Sequence, residues 1–482
     1  MTNGVCPDEH IRKARPEAGM AGEGEERITR TGGRAATTGV IKGRYALSVG
    51  NPGTAAPDGW TWTPLTEVAR LETGHTPSRK HPEYWGGEIP WIGIRDATSN
   101  HGRTIYETQE NTNALGIANS SARVLPQNTI CLSRTASVGY VVVMGRPMAT
   151  SQDFVNWVCS KRMDYRFLKY VLLAEKDALL QYASGTTHQT IYFPEVKAFH
   201  VCLPRQSEQA RIADLLGALD DKIELNRRMA QTLEAMARAL FKSWFVDFDP
   251  VRAKTEGRPT GLPDDLAALF PDRFGDDGLP SGWHFGTVDE ISDLNPESWD
   301  RYNRPEFIEY VDLSSTKLGI IEQTQTFRTE DAPSRAQRVL RPGDTIIGTV
   351  RPGNNSYAHV LGDGLTGSTG FAVLRPRQRA YTGLVYLCAS ARSNIEELAQ
   401  LADGAAYPAV RPEVVAQTPI ALPDNRSLLC AFSAVADPLL SRRHLALLNS
   451  QPIRAIRDTL LPKLISGELR IADAEKRVAA AG

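Results

Sequence analysis

Tyr182–Pro204 reads YASGTTHQTIYFPEVKAFHVCLP, and Leu401–Pro423 reads LADGAAYPAVRPEVVAQTPIALP. With a one-residue gap, the two share a glycine, a Pro-Glu-Val triplet and a closing aliphatic–Leu–Pro strand. The match continues upstream. PDGW (Pro57–Trp60) recurs as PSGW (Pro280–Trp283), and a hydrophobic strand pattern follows each: IPWIGIRD (Ile89–Asp96), then FIEYVDLSS (Phe307–Ser315). VLPQNTICLSR (Val124–Arg134) and VLRPGDTIIGTVR (Val339–Arg351) each set a proline and a polar turn before a β-branched strand that ends on an arginine. A period of about 220 residues marks a duplicated domain, since solenoid repeats run roughly 20–50 residues.

Each copy closes on a long helix. In the first, Ser207 and Glu208 open it, and Ile212, Leu216, Leu219, Ile223, Asn226, Ala230, Leu233, Ala237, Leu240 and Trp244 follow in 4-3 alternation. That is a coiled-coil seam with one polar break. The second seam reads Leu428, Phe432, Val435, Leu439, Arg442, Ala446, Asn449, Ile453, Ile456 and Leu460. Pro438, Pro452 and Pro462 interrupt it, so this helix is expected to be kinked or segmented. The natural partner of one seam is the other.

The composition, 41% apolar and 23% charged, is that of a globular protein, and a length of 482 residues suggests several domains. No stretch has the run of roughly 18 apolar residues that crosses a membrane. Six cysteines stand singly with no CxxC pair, which points to reduced thiols in a cytoplasmic protein. A net charge of −1 gives no basic signature of a nucleic-acid binder, so any such reading rests on local clusters. The first 57 residues are rich in Gly, Arg, Glu and Thr with Tyr45 as their only aromatic, and are expected to be mostly disordered.

Three stretches carry a family resemblance. ETGHTPSRKHPEYWGGEIPWIGIRD (Glu72–Asp96) resembles the opening of a target recognition domain in specificity subunits of type I restriction–modification systems. LFKSWFVDFDPVRAK (Leu240–Lys254) is similar to the end of that family's central helix, and LLPKLISGELRI (Leu460–Ile471) to the end of its C-terminal helix. The resemblance covers Pro57 to about Glu475. Two departures stand out: the leader is unusual, and the second domain lacks the GHTPS motif. The resemblance implies an α+β fold of two target recognition domains, each a mixed sheet with helices, joined by two long antiparallel coiled-coil helices. The expected division is a leader (1–56), a first recognition domain (57–205), a central spacer helix (206–256), a second recognition domain (257–424), a C-terminal spacer helix (425–475) and a tail (476–482). It also implies partners: double-stranded DNA with a bipartite asymmetric site, two modification (methyltransferase) subunits and two restriction (translocase–nuclease) subunits. S-adenosylmethionine, ATP and Mg²⁺ would belong to those subunits, with no cofactor on this chain, and location would be cytoplasmic, at the nucleoid when bound to DNA.

The residues themselves offer no catalytic centre. An adenine methyltransferase needs a D/N-P-P-Y/F motif, and the chain has no Pro-Pro dipeptide. The phosphate-cradling GxxxxGK[ST] is absent, and Glu195 with Lys197 lacks the upstream acid a nuclease needs. His75, His188 and His359 have no neighbours at ligand spacing, so no metal site is expected. Recognition remains. In the first copy, Thr76, Ser78, Arg79 and Lys80 form a basic, hydroxyl-rich loop, with Arg95 at the end of the following strand pattern. Ser133, Arg134 and Ser137 follow a second strand, where an arginine can reach guanine O6 and N7. Thr186, Thr187, His188 and Gln189 follow Gly185, and a glutamine can pair bidentately with adenine. The second-copy counterparts are Arg301, Arg304, Lys317, Thr349, Arg351, Asn354, Asn355 and Tyr407. There the loop after Gly404 has turned apolar; either it meets a thymine methyl or the readout sits on Arg351–Asn355. Phe241, Trp244, Phe245 and Phe248 crowd one helix end, either as packing against the neighbouring helix and domain or as a docking surface for a modification subunit.

Overall fold

The computed structural model describes residues 39–185, 189–300, 302–404 and 408–481. They divide into two compact units: one of residues up to Gly217 together with Thr459 onward, the other Ala218–Asp458.

The first unit is built on strands whose side chains are buried on both faces. Ile130–Ser133 and Val141–Met144 are wholly buried, a pattern that suits β-branched and sulfur-containing side chains in a covered sheet. With Ala69–Thr73, Phe154–Cys159 and Thr104–Ile105 they form a five-stranded sheet in the order 69–73, 154–159, 130–133, 141–144, 104–105. A smaller sheet places Trp85–Ile92 between Glu110–Thr112, antiparallel, and Ala149–Thr150, parallel. Two helices, Tyr165–Ala174 and Lys176–Tyr182, cover the core; Asp164 caps the first through a 2.8 Å bond from the Arg166 amide.

The second unit repeats this plan. Ser292–Leu294, Phe371–Pro376, Thr345–Gly348 and Tyr357–His359 take the same order and the same antiparallel pairings. Phe307–Val311 lies between an antiparallel strand, Gln325–Arg328, and a parallel one, Leu365–Ser368. The Pro-Glu-Val triplets open short helices, Phe193–Lys197 and Pro412–Ala416, with proline in the first turn where its missing N–H costs nothing. Each leads to a closing strand that pairs with the strand after the Gly-Trp dipeptide: Phe199–Leu203 with Thr61–Pro64, Pro419–Pro423 with Trp283–Thr287.

Residues 1–38 of the leader lie outside the described residues, and the part that follows departs from expectation. Ile41–Lys42 and Leu47–Val49 are strands, and Leu47–Val49 is buried and pairs with Phe199–Val201. The backbone N–H groups of Arg44, Tyr45, Ala46 and Leu47 donate to the buried Glu175 carboxylate at 2.6–3.1 Å. Ordered structure therefore begins ahead of Pro57, because a distant carboxylate and a distant strand satisfy this segment's backbone.

The long helices are Gln206–Phe245 and Arg426–Ile465. Within the second unit they run antiparallel: Glu234 pairs with Arg443 at 2.6 Å, and Asp220, fourteen residues earlier, pairs with Arg457, fourteen later, at 2.8 Å. The first seam is buried or half-buried throughout. The second is not. Val435, Arg442 and Asn449 face solvent, and their neighbours Ala436, Arg443 and Ser450 are buried instead. The prolines do not segment this helix; Pro438 and Pro452 are exposed, so the carbonyls they deprive of a partner can be hydrated. In the first unit the chain turns after Ile465 at Gly467, whose φ of +74° and close approach to Pro57 leave no room for a side chain. Arg470 then donates to the Asp58 carbonyl at 3.1 Å.

Candidate functional site

In the first unit the first two sequence clusters meet at a loop that sequence reasoning overlooked, Ser151-Gln152-Asp153. Thr76 Oγ1 donates to Gln152 Oε1, tying in the first cluster. The Arg134 amide donates to the Asp153 carbonyl at 2.8 Å, and Arg134 Nη2 to the Gln152 carbonyl at 3.2 Å, tying in the second. The Ile191 amide donates to the Arg134 carbonyl, and Thr135 and Thr190 join hydroxyls at 2.7 Å, so the chain just after the third cluster is bound to the second. Gly185, at a φ of +114°, turns the chain into this last loop.

The second unit has the same junction on different side chains. Thr349 donates its amide and its hydroxyl to the Gly370 carbonyl, each at 2.8 Å. The Val410 amide donates to the Thr349 carbonyl, and Gly404 has a φ of +115°. Bridges Thr135–Thr190 and Ser184–Thr190 have counterparts in Val350–Ala409 and Asp403–Ala409. These bonds align Arg134 with Thr349. Arg351 therefore aligns with Ala136, and both have positive φ, +49° and +64°. The two strand-ending arginines are not equivalent, as their shared place at the ends of similar motifs suggested; they stand two residues apart in the common frame.

The expected contact residues divide by environment. Ser78, Lys80, Arg95 and Gln189 are exposed in the first unit, and Lys317, Arg351 and Asn354 in the second. Arg79 is exposed but engaged: its two Nη atoms donate to the Glu110 carboxylate at 2.5 and 2.7 Å, and its guanidinium lies 3.8 Å from the Trp85 ring centre. The pairing holds the Glu110 pKa below the usual carboxylate range and that of Arg79 above its ordinary value. Arg134 is half-buried, with its guanidinium 4.6 Å from the Phe193 ring centre, and burial lowers its pKa. It braces the Gln152 loop. Ser133 is fully buried, donating to the Ser137 carbonyl and accepting from the Tyr140 amide, so its hydroxyl is occupied within the turn. The Ser137 carbonyl is the acceptor in that turn, and Thr349 is likewise buried and occupied. Arg304 donates to the Ala336 carbonyl at 3.3 Å, and the Asn355 side chain donates through Nδ2 to the Gly353 carbonyl at 3.0 Å. Thr186, Thr187, His188, Arg301 and Tyr407 lie outside the described residues.

Beside the second junction lies a cleft of about 570 Å³ whose walls include Asp312, Arg335, Arg351, Asn354 and Thr369. Arg335 was also missed: it reaches the Tyr310 hydroxyl at 2.8 Å and the Asp312 carboxylate at 2.7 Å. Gln152 had a faint signal, because Ser-Gln-Asp-Phe (151–154) and Ser-Thr-Gly-Phe (368–371) stand at the same place before the next strand.

The aromatic cluster takes the packing alternative. Phe241, Trp244, Phe245 and Phe248 are all buried, in contact with Phe270, Trp283 and Phe432. The exposed large apolar side chains on the long helices are instead Leu225, Met229, Met236, Val435, Leu445 and Leu448. Among the described residues there is no cluster of metal-binding side chains and no disulfide-forming pair, the described cysteines being free. No described helix is long and apolar enough to cross a membrane.

A family model described as the type I restriction modification DNA specificity domain matches residues 57–235. The specificity subunit of the type I restriction enzyme MjaIX from Methanocaldococcus jannaschii is 25% identical over 430 residues, covering 86% of this chain and 95% of that protein. The HindI specificity subunit from Haemophilus influenzae is 37% identical over 140 residues, 26% of this chain and 30% of that protein. Among solved structures, a type I restriction–modification S subunit from M. genitalium has the same fold, with a TM-score of 0.51 at 16% identity, covering 86% of this chain and 97% of that one.

Proposed function

We propose, from the premise that this chain belongs to the specificity subunits of type I restriction–modification systems, that it chooses the DNA site on which partner subunits act and performs no chemistry itself. Each unit reads one half of a bipartite, asymmetric sequence. The observation that carries this reading is the repeated loop junction: one backbone frame, built twice, with different side chains exposed on it. That is how a duplicated protein reads an asymmetric site, since the frame positions and the side chains specify. Ser78, Lys80, Arg95, Gln189, Lys317, Arg351 and Asn354 are the exposed groups proposed to meet DNA.

Recognition domains over 57–205 and 257–424, with spacer helices over 206–256 and 425–475, are the division that fits this role. The complex would hold two modification and two restriction subunits, which carry S-adenosylmethionine, ATP and Mg²⁺, in the cytoplasm and at the nucleoid. The exposed Leu225, Met229, Leu445 and Leu448 make the helices a docking surface for the modification subunits. The test is a gel shift of the chain with its modification subunit on random and selected duplexes. Tight binding to the selected duplex alone is expected, and equal binding to both would overturn the reading. Tritiated S-adenosylmethionine should label DNA with the complex and not with the chain alone.

A further inference from the structure

An exposed residue stands at the centre of each loop junction. Asp153 and Gly370 accept equivalent backbone bonds, from the amides of Arg134 and Thr349, so Gln152 and Thr369 occupy the same place in the two units. Both are exposed, and both stand between buried neighbours: Ser151 and Phe154 in the first unit, Ser368 and Phe371 in the second. Both loops are held by the residue that follows an inner strand, Ile130–Ser133 or Thr345–Gly348, through Arg134 Nη2 to the Gln152 carbonyl in one case and Thr349 Oγ1 to the Gly370 carbonyl in the other. A side chain presented on so constrained a loop loses little conformational freedom when it meets a base.

We propose that Gln152 and Thr369 are specificity-determining positions, each reading a base edge in its own half-site; this rests on the reading of the chain as a DNA-specificity subunit. Thr76 orients the Gln152 amide through Oε1, which leaves the two Nε2 hydrogens and a second oxygen lone pair. That combination of donor and acceptor matches N7 and N6 of adenine in the major groove. The Thr369 hydroxyl and methyl suit a different edge, and the residue stands in the cleft with Arg335 and Arg351, whose guanidinium donors suit guanine O6 and N7. The difference between the two side chains gives the two half-sites different sequences at this point.

The test uses the full chain with its modification subunit in cells, and reads the methylated motif genome-wide for wild type, Gln152→Ala, Thr369→Ala and Thr369→Gln. Gln152→Ala should relax one base position in one half-site, with about a tenfold or greater loss of preference there. Thr369→Ala should relax one position in the other half, and Thr369→Gln should change the base preferred. Recovery of the complex at wild-type yield shows that the variants fold. An unchanged motif in all three variants overturns this proposal while leaving the specificity reading intact. A wild-type chain that yields no motif with its partner removes the specificity reading itself.

Discussion

Glu175 is fully buried and accepts four backbone N–H groups from Arg44–Leu47. Replacing Glu175 with Ala strands those donors, and the expected cost is about 3 kcal/mol or more, seen as a lower unfolding midpoint by calorimetry. A midpoint unchanged from wild type would show that water replaces the carboxylate. This contact also explains why the leader's order was illegible: it joins residues some 130 positions apart, and the local sequence offers only a short Tyr-Ala-Leu-Ser-Val run. His359 carries a second prediction. Both its ring nitrogens are buried without a hydrogen-bond partner, its ring stacks on Tyr386, and burial, with help from Arg443 and His444, lowers its pKa from 6.5 to about 4. The folded state keeps this imidazole neutral while the unfolded state takes up a proton below pH 6.5. Its contribution to stability is thus complete above that pH and declines as the pH falls toward 4. His359→Leu should narrow the gap in denaturation midpoint between pH 8 and pH 5; an unaltered gap would assign the acid sensitivity elsewhere, His101 being a half-buried imidazole also lowered to about 4.

At the scale of elements, the duplicated strands, the Gly-Trp entries and both long helices were legible because their signals are local: β-branched runs after Pro-containing turns, and apolar spacing over ten turns. Register was harder. In the second long helix small and charged residues, Ala436, Arg443 and Ser450, occupy buried positions, while Leu445 and Leu448 are exposed. Seven of the ten seam positions are buried or half-buried, and the sequence pattern misplaces the other three, Val435, Arg442 and Asn449, by one residue. Arg443 is 3% exposed yet sits at a core position because Glu234 neutralises it at 2.6 Å and the Gly319 carbonyl accepts from it at 2.8 Å. Single substitutions separate the two registers. Val435→Ser should shift stability by less than about 0.5 kcal/mol, whereas Ala436→Leu should cost about 1–3 kcal/mol through overpacking. The reverse ranking in chemical denaturation would restore the register read from the sequence. The same lesson holds at the loop junction. Arg134 and Arg351 end similar motifs, but Arg351 lies two residues further along the common frame, and only the backbone bonds reveal the true alignment.

At the scale of the molecule, the burial of Phe241, Trp244, Phe245 and Phe248 moves the proposed docking surface to Leu225, Met229, Leu445 and Leu448. Leu225→Asp should abolish copurification with the modification subunit and leave the unfolding midpoint within about 1 °C, as expected for an exposed site. Retention of the complex would place docking elsewhere. If the long helices set the gap between half-sites, a heptad inserted after Ala230 and another after Ala446 lengthen each helix by about 10 Å. The methylated motif should then keep both half-sites with a gap up to about three base pairs wider, at roughly 3.4 Å per pair. An active variant with its original gap would free the helices of that role. The central claim is that this chain alone decides where the complex acts. It is tested most directly by sequencing adenine methylation genome-wide in cells carrying the modification subunit with and without this chain. The account predicts one asymmetric, bipartite methylated motif that vanishes when the chain is removed; the same motif persisting without the chain would contradict it.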